Sequence, residues 1–308
     1  MDRTVYMPKP VGTLEDPTTT LRDLMLSSDL TFLMEAHDGI SSAIAAQAGF
    51  KGLWASGLSI SSAIGYRDAN EASWTDVVGV VERMADASGL PILVDGDTGF
   101  GNFNNARIVA RKLKQRGASG ICLEDKGFPK MNSFVGDRQP LADIDEFSGR
   151  LSAVRDTTGP DFVLVARTEA LIADHSLDEA LVRAHAYAKA GADAILIHSR
   201  KSVPDEILAF SKEWNNKLPV MIVPTKYYRT PVAEYRAAAI STVIWANHNM
   251  RAAISAMRQV CDRIIQEESI AGIEGEVATL DELFDLMNYG ELAVAEDKYL
   301  PQAAHGHE

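Results

Sequence analysis

Cysteine, proline, positive charge and long apolar runs are all scarce in this sequence. Its two cysteines, Cys122 and Cys261, have no C-x-x-C spacing, which argues against a disulfide framework or a zinc motif. Both stand in apolar segments and read as small buried hydrophobes. Only 12 of 308 residues are proline and 46% are hydrophobic, a composition that excludes disordered and fibrous classes. No apolar run approaches the roughly 18 residues of a membrane span. The N-terminal stretch, interrupted by Pro8, Pro10, Asp16 and Asp29, holds no signal-peptide core. The expectation is a cytoplasmic protein with no membrane partner. Lys and Arg number 30 against 43 Asp and Glu, for a net charge of -13. Such a surface repels nucleic acid, so an anionic ligand requires a local cluster of cations.

What is present is alternation. Short apolar, β-branched runs read as strands at Thr31–Ala36, Gly52–Ala55, Pro91–Val94, Gly120–Leu123, Phe162–Ala166, Ala194–Ile197, Val220–Val223 and Thr242–Ala246. Segments of helical spacing lie between them, including Ala106–Arg116, Leu177–Ala190 and Pro204–Trp214, the second opened by the capping pattern of Ser176 with Glu179. The phrases AQAGFKGLWASG, KQRGASGICLED and AKAGADAILIHS repeat one pattern, in which a glycine ends a helix before a strand. This order predicts a closed (β/α)8 TIM-type barrel. A doubly wound open sheet is the rival, but the first strand leads into EAHDG at 35–39 and not into a glycine-rich nucleotide loop. The expected organisation is an N-terminal extension over 1–28 and one barrel domain over 29–308. That domain includes C-terminal helices at Asn249–Glu267 and near Leu280–Leu286.

Polar residues collect where the strands end, the face on which barrel enzymes keep their active sites. They are Ser56 and Gly57, Asp95 and Asp97, Glu124 to Lys126, Arg167 and Glu169, His198 and Ser199, and Asn247 and His248. Asp95, Asp97 and Glu124 come from adjacent strands, so their carboxylates lie close enough to repel or take up protons unless a cation intervenes. Oxygen donors without cysteine select Mg2+, with Mn2+ as the alternative. The competing reading is that these acids pair with Arg and Lys or cap helices. The connection from Asp125 to about Leu141 is long for a βα loop, and it carries Gly127, Gly136, Lys126, Lys130 and Arg138. Its length and charge read as a lid that brings cations to an anion. A competing reading has His198 satisfied by a backbone carbonyl and Trp54 by core packing; His37, His175, His185 and His248 read as structural, and His305 and His307 as a solvated tail.

The phrases WASGLS at 54–59, DGDTGFGN at 95–102, EDKGFPKMNS at 124–133, VARTEA at 165–170, ILIHS at 195–199, VPTKYY at 223–228 and IWANHN at 244–249 resemble the phosphoenolpyruvate mutase/isocitrate lyase superfamily. The lid lacks the Cys-Gly-His motif of the lyase branch. Its EDK, five residues, then NS resembles the mutase branch, whereas the hydrolase branch typically has threonine where Asn132 stands. The resemblance implies interconversion of phosphoenolpyruvate and phosphonopyruvate, with a phosphonopyruvate hydrolase and a non-catalytic keto-acid binder as rivals. It implies that Asp95 binds Mg2+ directly, and that Asp97, Glu124 and Asp68 hold its waters. Trp54, Ser56 and the amides of Gly57 and Leu58 are implied to cradle the pyruvyl oxygens. Lys126, Asn132, Arg167 and His198, with Ser133 in the same lid, are implied to surround the phosphoryl group. Exchange of C-terminal helices between subunits, in a homotetramer built as a dimer of dimers, is implied as well.

Overall fold

The computed structural model describes residues 17–135 and 140–300. Gly136, Arg138, His305 and His307 lie outside the described residues, as does most of the expected N-terminal extension. The described chain opens on α1 (Pro17–Leu26) and alternates through β1 (Thr31–Ala36), α2 (Gly39–Gln47), β2 (Gly52–Ala55), α3 (Gly57–Ala63), α4 (Trp74–Ser88), β3 (Ile92–Asp95) and α5 (Phe103–Gln115). It continues with β4 (Gly120–Glu124), α6 (Ile144–Thr158), β5 (Val163–Thr168), α7 (Leu177–Lys189), β6 (Ala194–Ile197), α8 (Asp205–Trp214), β7 (Val220–Ile222), α9 (Val232–Ala237) and β8 (Thr242–Trp245). Three helices follow: α10 (His248–Glu267), α11 (Leu280–Leu286) and α12 (Tyr289–Tyr299). All strand pairs are parallel, and β8 pairs with β1 to close the barrel. The strands coincide with the expected runs to within two residues at either end.

The strands β2 to β7 are buried on both faces, which is why they read as short continuous apolar runs and not as alternating ones. Leu33, Trp54, Leu93, Cys122, Val165, Leu196, Met221 and Ile244 form the cluster inside the barrel. A second, larger cluster, with Val94, Ile121 and Ile197 from the opposite strand faces, packs the barrel against its helices. Helix α1 falls in the expected extension, and its Leu21 and Met25 belong to the inner cluster. A Cβ added at Gly120, where β4 starts, would stand 3.2 Å from the Leu21 side chain. The helix therefore plugs the end of the barrel opposite the polar strand ends.

Helix starts follow local chemistry: Ser176 accepts from the Glu179 amide at 3.2 Å, and Asp38 and Ser73 open reciprocal capping boxes at α2 and α4. Two compact units divide the chain, the barrel up to Arg251 and a C-terminal helical unit from Ala252. Cys122 is buried as expected, but Cys261, in α10, is exposed. No helix among the described residues is long and apolar enough to cross a membrane.

Candidate active site

The polar strand ends converge on a cavity that opens to solvent. Of the residues singled out from the sequence, Trp54, Ser56, Leu58, Asp68, Asp95, Glu124, Asn132, Ser133, Arg167 and His198 line it. Thr225 and Asn247, at the ends of β7 and β8, line it too without having been assigned a role. Trp54 packs in the inner cluster and also borders the cavity.

The acidic wall is built by β2, β3 and β4. A Cβ at Gly57 would stand 3.1 Å from Asp97 Oδ1 and 3.2 Å from Asp95 Oδ2, so a residue without a side chain lets the α3 backbone approach both acids. The Gly57 amide donates to Asp95 Oδ2 at 3.3 Å; in this structure it faces the carboxylate and not open cavity. Asp97 adopts a left-handed φ of 50°, an uncommon conformation for a non-glycine residue that turns its carboxylate toward the other acids.

A lid lysine balances this charge. Lys130 Nζ stands 2.5 Å from Asp97 Oδ1, so of the three strand-end acids Asp97 pairs with a lysine, and the same ammonium stands 2.8 Å from Asp68 Oδ1. Burial pushes Asp97 up to about 7, with the Lys130 ammonium opposing and the Asp95, Asp68 and Glu124 carboxylates adding to the rise. Burial would also raise Asp68, but Lys130 and the Asn132 amide hold it below the usual carboxylate range. Among the described residues no group of three acids or imidazoles closes on one point as metal ligands. Glu124 Oε1 is nevertheless buried without a hydrogen-bond partner, and the donors are all carboxylate oxygens. That donor set fits a hard divalent cation.

The opposite wall is cationic. Arg167, inside β5, donates from Nε to Glu169 Oε1 at 2.5 Å and from Nη2 to the Ser133 hydroxyl at 3.0 Å. Its Nε also lies 3.4 Å from Glu124 Oε2, so one guanidinium spans the acidic wall and the lid. Glu169 is fully buried; burial opposes its charge, but Arg167 at its side keeps it well below the usual range. His198 Nδ1 lies 2.8 Å from Glu169 Oε1 and 2.9 Å from Arg167 Nη2, so it donates to the carboxylate in one tautomer and accepts from the guanidinium in the other, while His198 Nε2 is buried and without a partner. Burial holds the imidazole below its ordinary value of 6.5 despite that carboxylate.

Lys126 stands behind this wall. Its Nζ donates to the Met131 carbonyl at 2.9 Å and the Ser133 hydroxyl at 2.7 Å, and lies 3.2 Å from Glu169 Oε2, so it braces the lid from below. Asn132 donates to Asp68 Oδ2 at 2.6 Å, and Asn70 links the lid to the acids by accepting from the Lys130 amide and donating to Asp97. The lid is closed at its base by pairing of Lys126 with Leu141. Lys130, Asn70 and Glu169 gained no role from the sequence. Lys130 was visible only as a lid cation and Glu169 as a strand-end acid, because nothing in the spacing shows which acid faces which lysine.

A closed parallel barrel whose rim opposes carboxylates to an arginine and a histidine, under a tethered lid, defines an enzyme of small anionic substrates. A family profile described as phosphoenolpyruvate phosphomutase matches residues 21–265. The chain is 54% identical over 285 residues to a phosphoenolpyruvate phosphomutase of Tetrahymena pyriformis, covering 92% of this chain and 95% of that protein. The crystal structure of the phosphoenolpyruvate phosphomutase from Streptomyces platensis subsp. rosaceus superposes with a TM-score of 0.90 at 41% identity, over 92% of this chain and 99% of that one. A phosphonopyruvate hydrolase solved with oxalate and Mg2+ gives 0.87 at 38% identity, over 93% and 100%. The chain belongs to the phosphoenolpyruvate phosphomutase family.

Proposed function

We propose that this chain is an isomerase that interconverts phosphoenolpyruvate and phosphonopyruvate. The carrying observation is a single cavity with unpartnered carboxylate oxygen on one wall and Arg167 with the free Nε2 of His198 on the other. The greater similarity to mutases than to the hydrolase supports the same reading. In the forward direction the oxygen–phosphorus bond breaks, its electron pair stays on the enolate oxygen, and C3 of the enolate forms the phosphorus–carbon bond. No proton is gained or lost.

The acids Asp95, Asp97, Glu124 and Asp68 would hold Mg2+, which when bound supplies positive charge to the pyruvyl oxygens. Ser56 and the backbone at Leu58 would orient those oxygens, with the Gly57 amide tied to Asp95, and Trp54 borders the same space. Arg167 presents its fork of donors to the phosphoryl oxygens, and His198 Nε2 contributes a further donor in the tautomer whose Nδ1 accepts from Arg167 Nη2. Asn132 and Ser133 close the lid over the group, while Lys126 positions them. The unpaired thiols suit a cytoplasmic setting, and a homotetramer is the proposed assembly.

Phosphorus NMR of the purified protein with phosphonopyruvate and Mg2+ tests the reaction. Phosphoenolpyruvate is the expected product; free phosphate alone would make the chain a hydrolase, and no change would make it a binder. Exhaustive chelation is expected to abolish turnover and added Mg2+ to restore it, and activity that survives chelation removes the metal from the scheme.

A further inference from the structure

We infer that Phe134 sets the partition between phosphoryl transfer and hydrolysis: its phenyl ring, latched by Lys226, keeps water from the phosphoryl side of the cavity. The inference rests on the phosphoryl-transfer reading above. The lid side chains of Lys126, Lys130 and Asn132 are tied to the carboxylates of Glu169, Asp68 and Asp97. Toward β6 and β7 the lid instead presents Phe134, whose ring meets the His198 imidazole edge to face at 5.4 Å and 76°. The Lys226 ammonium lies 4.8 Å from the centre of that ring, within cation–π range. The Phe134 amide is tied to Asn132 Oδ1 at 3.0 Å, which fixes where the ring leaves the backbone.

This ring is a wall one side chain thick. It lines the cavity yet is 38% exposed, so water touches its outer surface. Immediately inside lies His198, whose buried Nε2 is the nitrogen available to a phosphoryl oxygen.

Chemistry makes the wall decisive. When the phosphorus–carbon bond of phosphonopyruvate breaks, its electron pair passes to the enolate. Capture of phosphorus by the enolate oxygen gives phosphoenolpyruvate. Capture by water instead gives phosphate, and a proton from that water ends on C3 to give pyruvate. Arg167 and His198 hold the phosphoryl group alike on both routes, so only access of water discriminates.

The test is the ratio of phosphate to phosphoenolpyruvate formed from phosphonopyruvate and Mg2+, read by phosphorus NMR in wild type, Phe134→Ala, Phe134→Leu and Lys226→Met. Phe134→Ala is expected to raise the ratio by roughly tenfold or more, the scale of one lost barrier contact. Phe134→Leu, which keeps apolar bulk, should stay near wild type, and Lys226→Met should raise the ratio less than the alanine variant. A uniform loss of rate with an unchanged ratio in Phe134→Ala overturns the inference and leaves the mutase reading intact, whereas a wild type that forms no phosphoenolpyruvate overturns that reading itself. Should Phe134→Ala fail to fold, Lys226→Met decides: a raised ratio supports the latch and an unchanged one refutes it.

Discussion

Asn132 joins two parts of the rim, since its Nδ2 donates to Asp68 and its Oδ1 accepts from the Phe134 amide. Asn132→Ala removes both ties and a candidate phosphoryl contact while emptying little buried space. Turnover in a steady-state assay should fall by about 10²-fold, the scale of one lost transition-state donor, with a nearly unchanged melting temperature. Near wild-type turnover would remove Asn132 from the mechanism. Two histidines carry opposite pH signatures. Burial holds His198 below its ordinary 6.5, so the unfolded chain binds the proton more readily. Its contribution to stability is therefore complete above about 6.5 and is lost as pH falls through the folded value. For His37, burial acts downward but Glu35 Oε1 at 2.6 Å from Nδ1 overrides it, and the folded value is raised. That contribution is present below about 6.5 and is lost as pH rises through the folded value. Melting temperature against pH should show His198→Gln flattening the acid limb and His37→Gln the alkaline one; a variant that leaves its limb unchanged refutes the corresponding assignment.

Glu35 shows how an element reaches the site from outside it. At the end of β1 it is fully buried, and its Oε2 accepts from the amides of Asn249 at 2.9 Å and Met250 at 3.2 Å in the first turn of α10. The carboxylate thereby caps α10 and fixes the turn that brings Asn247 to the cavity. Glu35→Gln keeps the shape but loses the charge, and should cost roughly 1–3 kcal/mol by denaturant titration, with a raised KM because Asn247 loses its support. Unchanged stability would show that the cap is dispensable. The same element shows what the sequence makes legible. Strand ends and α10 are readable because apolar runs and helical spacing are local signals, and the acids after β3 and β4 follow from strand order alone. The tie from Glu35 to α10 spans most of the chain and leaves no local trace. Helix α1 escaped for a related reason: PTTTLRDLML is too short and polar to declare itself, and becomes a helix because Leu21 and Met25 have a barrel end to fill. The lid was legible as long and basic, but its pairing of Lys130 with Asp68 and Asp97 depends on folding back over the rim.

None of the residues in α10, α11 and α12 is buried, although Leu280, Phe284, Leu292, Val294 and Tyr299 are all exposed there. Helices as short as α11 and α12 are marginal in water without a packed face, so their stability requires a surface to cover these side chains. A second copy offers one at no cost in new sequence, because a two-fold contact buries the same patch on both partners. The proposed homotetramer predicts a sedimentation mass of several monomers at micromolar concentration. Leu280→Glu combined with Val294→Glu places charge on that face, and should shift the distribution toward smaller species while leaving the barrel folded. A wild type that sediments as a monomer, with α10 to α12 still helical, would show that these helices need no partner and that the apolar face serves another purpose.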